Sequence, residues 1–96
     1  MADLITLVGA LYACNIMAEQ SPVSLRQAYL CVQSQEAVKL RLLSADEISD
    51  LEGLSLAERN RIKLRGYRRF KTWEAENPDL VRQIRREEKQ KLLFDG

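Results

Sequence analysis

Between Arg59 and Lys71 the chain carries seven Lys or Arg side chains in thirteen residues, with no Asp or Glu among them. A guanidinium group is a planar fork of N–H donors that stays charged, so it holds phosphate or carboxylate oxygens two at a time. On one continuous helix Arg61, Arg65, Arg68 and Arg69 recur at i, i+4, i+7 and i+8 and share a face. Tyr67 and Phe70 then fall on the other side and Trp73 toward its flank, so rings dock inward while arginines face out. The pattern repeats further on, where Arg82, Arg85, Arg86 and Lys89 lie at i, i+3, i+4 and i+7 opposite Leu80, Val81 and Ile84. Two basic faces in one short chain predict contacts to a nucleic-acid backbone, DNA or RNA, with no assignment of base reading. The plainer expectation is a pair of solvated faces, partly neutralised by Glu74, Glu76, Glu87 and Glu88.

Other chemistry is sparse. The chain has no histidine, which removes the commonest general base, metal ligand and pH switch. There is no phosphate-binding glycine loop, nucleophile elbow or HExxH motif. Asp46, Glu47 and Asp50 suit helix-start electrostatics better than acid–base catalysis. No catalytic, cofactor-binding or metal-ligating residue is expected, and the chain does not read as an enzyme. Cys14 and Cys31 sit in apolar helical stretches without metal-site spacing. They are expected to be buried free thiols in a reducing compartment, neither a disulfide framework nor a zinc site.

These side chains must be positioned by helices. Ninety-six residues, 46% hydrophobic and 30% charged with four Gly and two Pro, suit one helical domain spanning 1–96. The net charge of +1 conceals an asymmetry. Residues 1–58 hold three basic groups against eight acidic ones, whereas residues 59–96 hold twelve against six. Asp3 caps a first helix running to about Glu19, which Ser21-Pro22 stops. Its residues are apolar or small all round, which predicts an enclosed central helix or, alternatively, a dimer or partner interface over Leu4–Ala18. That stretch is too short to span a bilayer and lacks the positive start of a signal peptide, so no membrane contact and a cytoplasmic location are expected.

Ser24 caps a second helix in which Leu25, Ala28, Tyr29 and Val32 share a face. Ala37, Val38 and Leu42 would point the other way on an unbroken helix. That phase break predicts a turn near Gln33-Ser34 and a new helix from Gln35; a strand over Val38-Leu40-Leu42 is the rival. The segment from Leu25 to Leu40 resembles a helix-turn-helix over about twenty residues. It departs from that pattern at Cys31, where glycine usually permits the turn, and by one extra residue between Val32 and Ser34. It brings only Lys39 and Arg41 as basic groups, so a structural hairpin is the better expectation. Ser44 with Glu47 and Ser55 with Glu58 mark two more helix starts, with Gly53 ending the first. Gly66 makes a kink and a continuous helix equal expectations up to Glu76, and Asn77-Pro78 opens a last helix to about Leu93. The whole reads as an all-α bundle of about five helices, possessing a helix-turn-helix-like hairpin as an option. Its expected work is nucleic-acid binding or regulation, with a non-catalytic protein-interaction module as the alternative.

Overall fold

The computed structural model describes residues 3–95, with side chains through Leu93. Among these residues five helices follow one another: α1 (Leu4–Gln20), α2 (Leu25–Arg41), α3 (Ala45–Asp50), α4 (Leu56–Glu76) and α5 (Pro78–Asp95). There is no strand among the described residues, so the all-α expectation holds and the strand over Val38–Leu42 does not form. The starts are where the short polar side chains put them. Asp3 accepts the Thr6 N–H at 2.8 Å, while Ser24 and Ser44 each form a reciprocal capping box with Gln27 and Glu47. Gly53, at φ +81°, supplies the left-handed turn after α3. Asn77 stands at the start of α5 as expected, its carbonyl accepting the Val81 N–H at 2.9 Å, and it serves α4 as well. Its side-chain amide donates back to the Trp73 carbonyl at 2.9 Å and so closes α4.

α1 is the central helix. Val8, Leu11 and Tyr12 are buried with Val38, Phe70 and Ile84 in one core cluster drawn from four helices. α1 and α2 form an antiparallel hairpin, since Cys14 meets Cys31 while Asp3 and Leu7 lie beside Arg41 and Leu43. On the small-residue side of α1, Gly9 is buried against Ile84 and Glu88 of α5. α1 is packed between α2 and α5 as the central helix, while Ile5, Thr6, Ala10 and Asn15 stay exposed.

Two expectations are overturned here. α2 is one unbroken helix through Gln33 and Ser34, so the helix-turn-helix-like hairpin is absent. The phase break is real, but it records a change of environment along a single helix. Val38 is buried, whereas Leu25, Tyr29 and Val32 face solvent. The cysteines are the second correction. Cys14 and Cys31 are joined in a disulfide, with Cα atoms 5.5 Å apart, and no free thiol remains. Cys14 precedes the Ser21–Ser24 connection by as many residues as Cys31 follows it, and in an antiparallel hairpin equal offsets bring two residues level. That symmetry was the available signal.

α4 runs parallel to α2: Glu36 meets Lys63, Lys39 meets Gly66, and the Leu42 carbonyl meets Arg69, each pair stepping along together. Gly66 neither kinks nor breaks α4, which is continuous from Leu56 to Glu76. Its role is contact. A Cβ placed there would stand 2.3 Å from the Lys39 carbonyl oxygen, so the absent side chain is what lets the two backbones touch. α4 and α5 turn about Asn77 and touch little elsewhere. The radius of gyration is 14.6 Å, against about 12.5 Å for a compact chain of this length.

Candidate functional site

The α4 arginines divide into two groups. Arg61, Arg65 and Arg68 form one exposed row on the side away from the buried Gly66 and Phe70. Arg69 turns to the flank and clasps α3. Its Nη1 donates to Glu47 Oε1 at 2.6 Å and to the Leu42 carbonyl at 2.9 Å, and its Nη2 donates to Glu47 Oε2 at 3.0 Å. Glu47 is itself fixed by the capping box, accepting the Ser44 N–H at 2.9 Å. The hydrogen bonds from Arg69, then that from the Ser44 backbone, hold the Glu47 carboxyl down at about 2. Arg65 lies 3.5 Å from the same carboxylate. Arg61 and Arg68 have no carboxylate partner among the described residues.

The α5 residues also serve different ends. Arg82 pairs with Asp79 one turn back, in solvent. Arg85 lies over the Tyr12 ring, 4.8 Å from its centre, in a cation–π contact. Arg86 and Lys89 carry no carboxylate partner among the described residues and border a hollow shared with Arg85, Asn15 and Glu19. Arg85 also meets the Tyr67, Lys71 and Glu74 side of α4 in a second hollow. Arg61, Arg65 and Arg68 project from a different side of α4. Each basic row is thus assembled within its own helix, and the structure does not merge the two into one track.

The inward docking of rings is only partly realised. Phe70 is buried and stacks on the half-buried Trp73 with centroids 6.2 Å apart. Tyr67 is 41% exposed, with the Lys71 ammonium 5.7 Å from its ring. Tyr12, placed by its sequence pattern among apolar residues, anchors an unexpected polar cluster. Its hydroxyl donates to the Glu74 carboxylate, which also accepts from Lys71 Nζ at 3.0 Å. Burial first, then the Glu74 hydrogen bond and charge, push the Tyr12 hydroxyl well above its ordinary range, opposed by Arg85. This clasp joins α1, α4 and α5. A buried tyrosine needs a partner for its hydroxyl, and that need was the legible signal. Glu36 makes a similar brace. Burial raises its pKa, but the Lys63 ammonium, 3.0 Å from its Oε2, and the charge of Lys39 leave it below the usual carboxylate value.

The most distinctive surface lies outside the basic rows. Along the first half of α2, Leu25, Tyr29 and Val32 recur at i, i+4 and i+7 and are 92%, 63% and 56% exposed. Val23, just before the helix, and Leu30, on another side of it, are also exposed. Gln33 donates to the Tyr29 hydroxyl at 2.9 Å and steadies the ring. From Val23 to Gln35 the only charged residue is Arg26. The sequence pattern located this face as apolar. Comparison with known protein families, with curated proteins and with solved structures gives no match to the chain.

Proposed function

We propose that this chain is a non-catalytic protein-interaction module whose docking surface is the first half of α2. The observation that carries this reading is the bare Leu25–Tyr29–Val32 row. Large apolar side chains gathered on one steady face, with Arg26 the single charge between Val23 and Gln35, match the centre of a protein interface better than an ordinary solvated helix side. The capping box at Ser24 and the bridge to Cys14 hold that face in place. A photo-crosslinking residue introduced at position 25 in living cells tests it. Protein adducts are expected, and Val32→Asp should remove them; a probe that captures no protein refutes the reading.

A second reading, nucleic-acid binding, is favoured by Arg61 and Arg68, which stand in one row with Arg65 and lack carboxylate partners among the described residues. Phosphate contacts predict affinity for duplex or single-stranded oligonucleotides that falls steeply with salt. Replacing Arg61, Arg65 and Arg68 by Glu should abolish it. Absence of binding at about 50 mM salt, where phosphate contacts are strong, removes this reading.

The Cys14–Cys31 bridge bears on location, which was expected to be cytoplasmic. No helix among the described residues is long and apolar enough to cross a membrane. A persistent bridge favours an oxidising compartment over the cytoplasm. Alkylation of the protein directly on cell lysis decides the matter: unmodified cysteines place it in an oxidising compartment, and two alkylated thiols restore the cytoplasm.

A further inference from the structure

We infer that the partner of the α2 face is a second copy of this chain, paired antiparallel across a two-fold axis at Ala28–Tyr29. The inference rests on the docking reading above. A closed two-fold interface must be self-complementary, because the same patch is used by both copies. The α2 face has that property in size. With the axis between positions 28 and 29, Leu25 of each copy lies opposite Val32 of the other, and the large Tyr29 lies opposite the small Ala28. The helix dipoles then run in opposite directions, which is favourable. Charge agrees with this choice of occupant. A strongly charged patch repels its own image, whereas this one carries Arg26 alone between Val23 and Gln35.

The surface area points the same way. The chain exposes 7008 Å². A compact monomer of this mass exposes roughly 5,700 Å². The excess, about 1,300 Å², exceeds the roughly 800 Å² per partner that a standard specific interface covers. The excess is summed over the whole chain, and burying about 800 Å² of it through α2 would move the exposed area toward the value for a compact protein. Leu25 and Val32 are exposed in the single chain, so changing them does not disturb the core.

The test is solution mass by light scattering and sedimentation, from low micromolar to near-millimolar protein. The wild-type chain is expected to double in mass as concentration rises. Leu25→Glu and Val32→Lys, made separately, are each expected to hold the mass at one chain with unchanged helical circular dichroism. Combined in one chain, they place Glu opposite Lys across the axis and should restore the doubling. That rescue also guards against a single variant that merely unfolds. A wild-type chain that stays single throughout overturns the inference, as does doubling that survives both separate variants or a combined variant that fails to restore it. If the wild type stays single while the probe at position 25 still captures another protein in a Val32-dependent way, the docking reading stands and only self-association falls. If neither occurs, both fall.

Discussion

The two halves of α2 belong to one continuous helix, yet they are held by different physics. The second half is sandwiched: Val38 is 1% exposed in the core, Lys39 touches the bare backbone at Gly66, and Glu36 is ion-paired to Lys63. The first half contributes no fully buried residue; its apolar row faces water, and it is fastened by the Ser24 box and the Cys14 bridge. A helix therefore need not be stabilised uniformly along its length. Where packing supplies the energy, the surface is consumed. Where a covalent tie and a cap do so, an apolar face stays available to a partner.

That contrast can be broken most severely at Gly66. Gly66→Ala gains about 1 kcal/mol of helix propensity, but its methyl would collide with backbone at Lys39, which cannot swing aside. A net loss of about 3 kcal/mol is expected, lowering Tm by roughly 15 °C for a domain of this size. Thermal unfolding followed by circular dichroism reads it, and an unchanged Tm would show that the two helices are not in backbone contact.

Removing the bridge should act on the other half. Cys14→Ser with Cys31→Ser opens a loop whose closure is worth about 3 kcal/mol by chain entropy. Amide exchange should accelerate over Gln27–Val32 more than over Glu36–Arg41. Equal acceleration of both segments would mean that α2 unfolds as one unit and that the proposed division is wrong.

Acid gives a smaller effect, near the end of the packed half. Glu47 titrates at about 2 in the folded chain against an ordinary 4.5, so folding is favoured when it is ionised. Its contribution is present above about pH 5 and is lost as pH falls toward 2. Arg69→Gln should lower Tm at neutral pH by less than either change above and flatten the acid dependence in that window. The smallest effect is expected at Leu25. Leu25→Asp should shift the stability of the single chain by no more than about 0.5 kcal/mol, because the side chain is 92% exposed. A large loss would mean that the face is covered within the monomer.

Much of this architecture was legible beforehand. The caps at Asp3, Ser24, Ser44 and Ser55 are local events, settled by side chains bonding to N–H groups three residues on. The apolar and basic rows are equally local, because helical period alone aligns them. The division of the arginines was not legible, since Arg69 and Arg68 differ by one step of the helix and only the position of α3 makes one a clasp and leaves the other in solvent. The Tyr12–Glu74 bond spans most of the chain and has no sequence signature beyond tyrosine's need for a partner.

Helix content, the capped helix starts and which residue types share a face were determined by the sequence itself, because each depends on neighbours within a turn or two. The tertiary structure alone decided whether a face is covered. The phase break in α2 was visible as a pattern, and a turn was the natural explanation. Packing supplied another, since α1 and α4 bury the second half of α2 and leave the apolar row of the first half bare. Burial is a property of the assembled helices, and no local spacing encodes where one helix ceases to shield another.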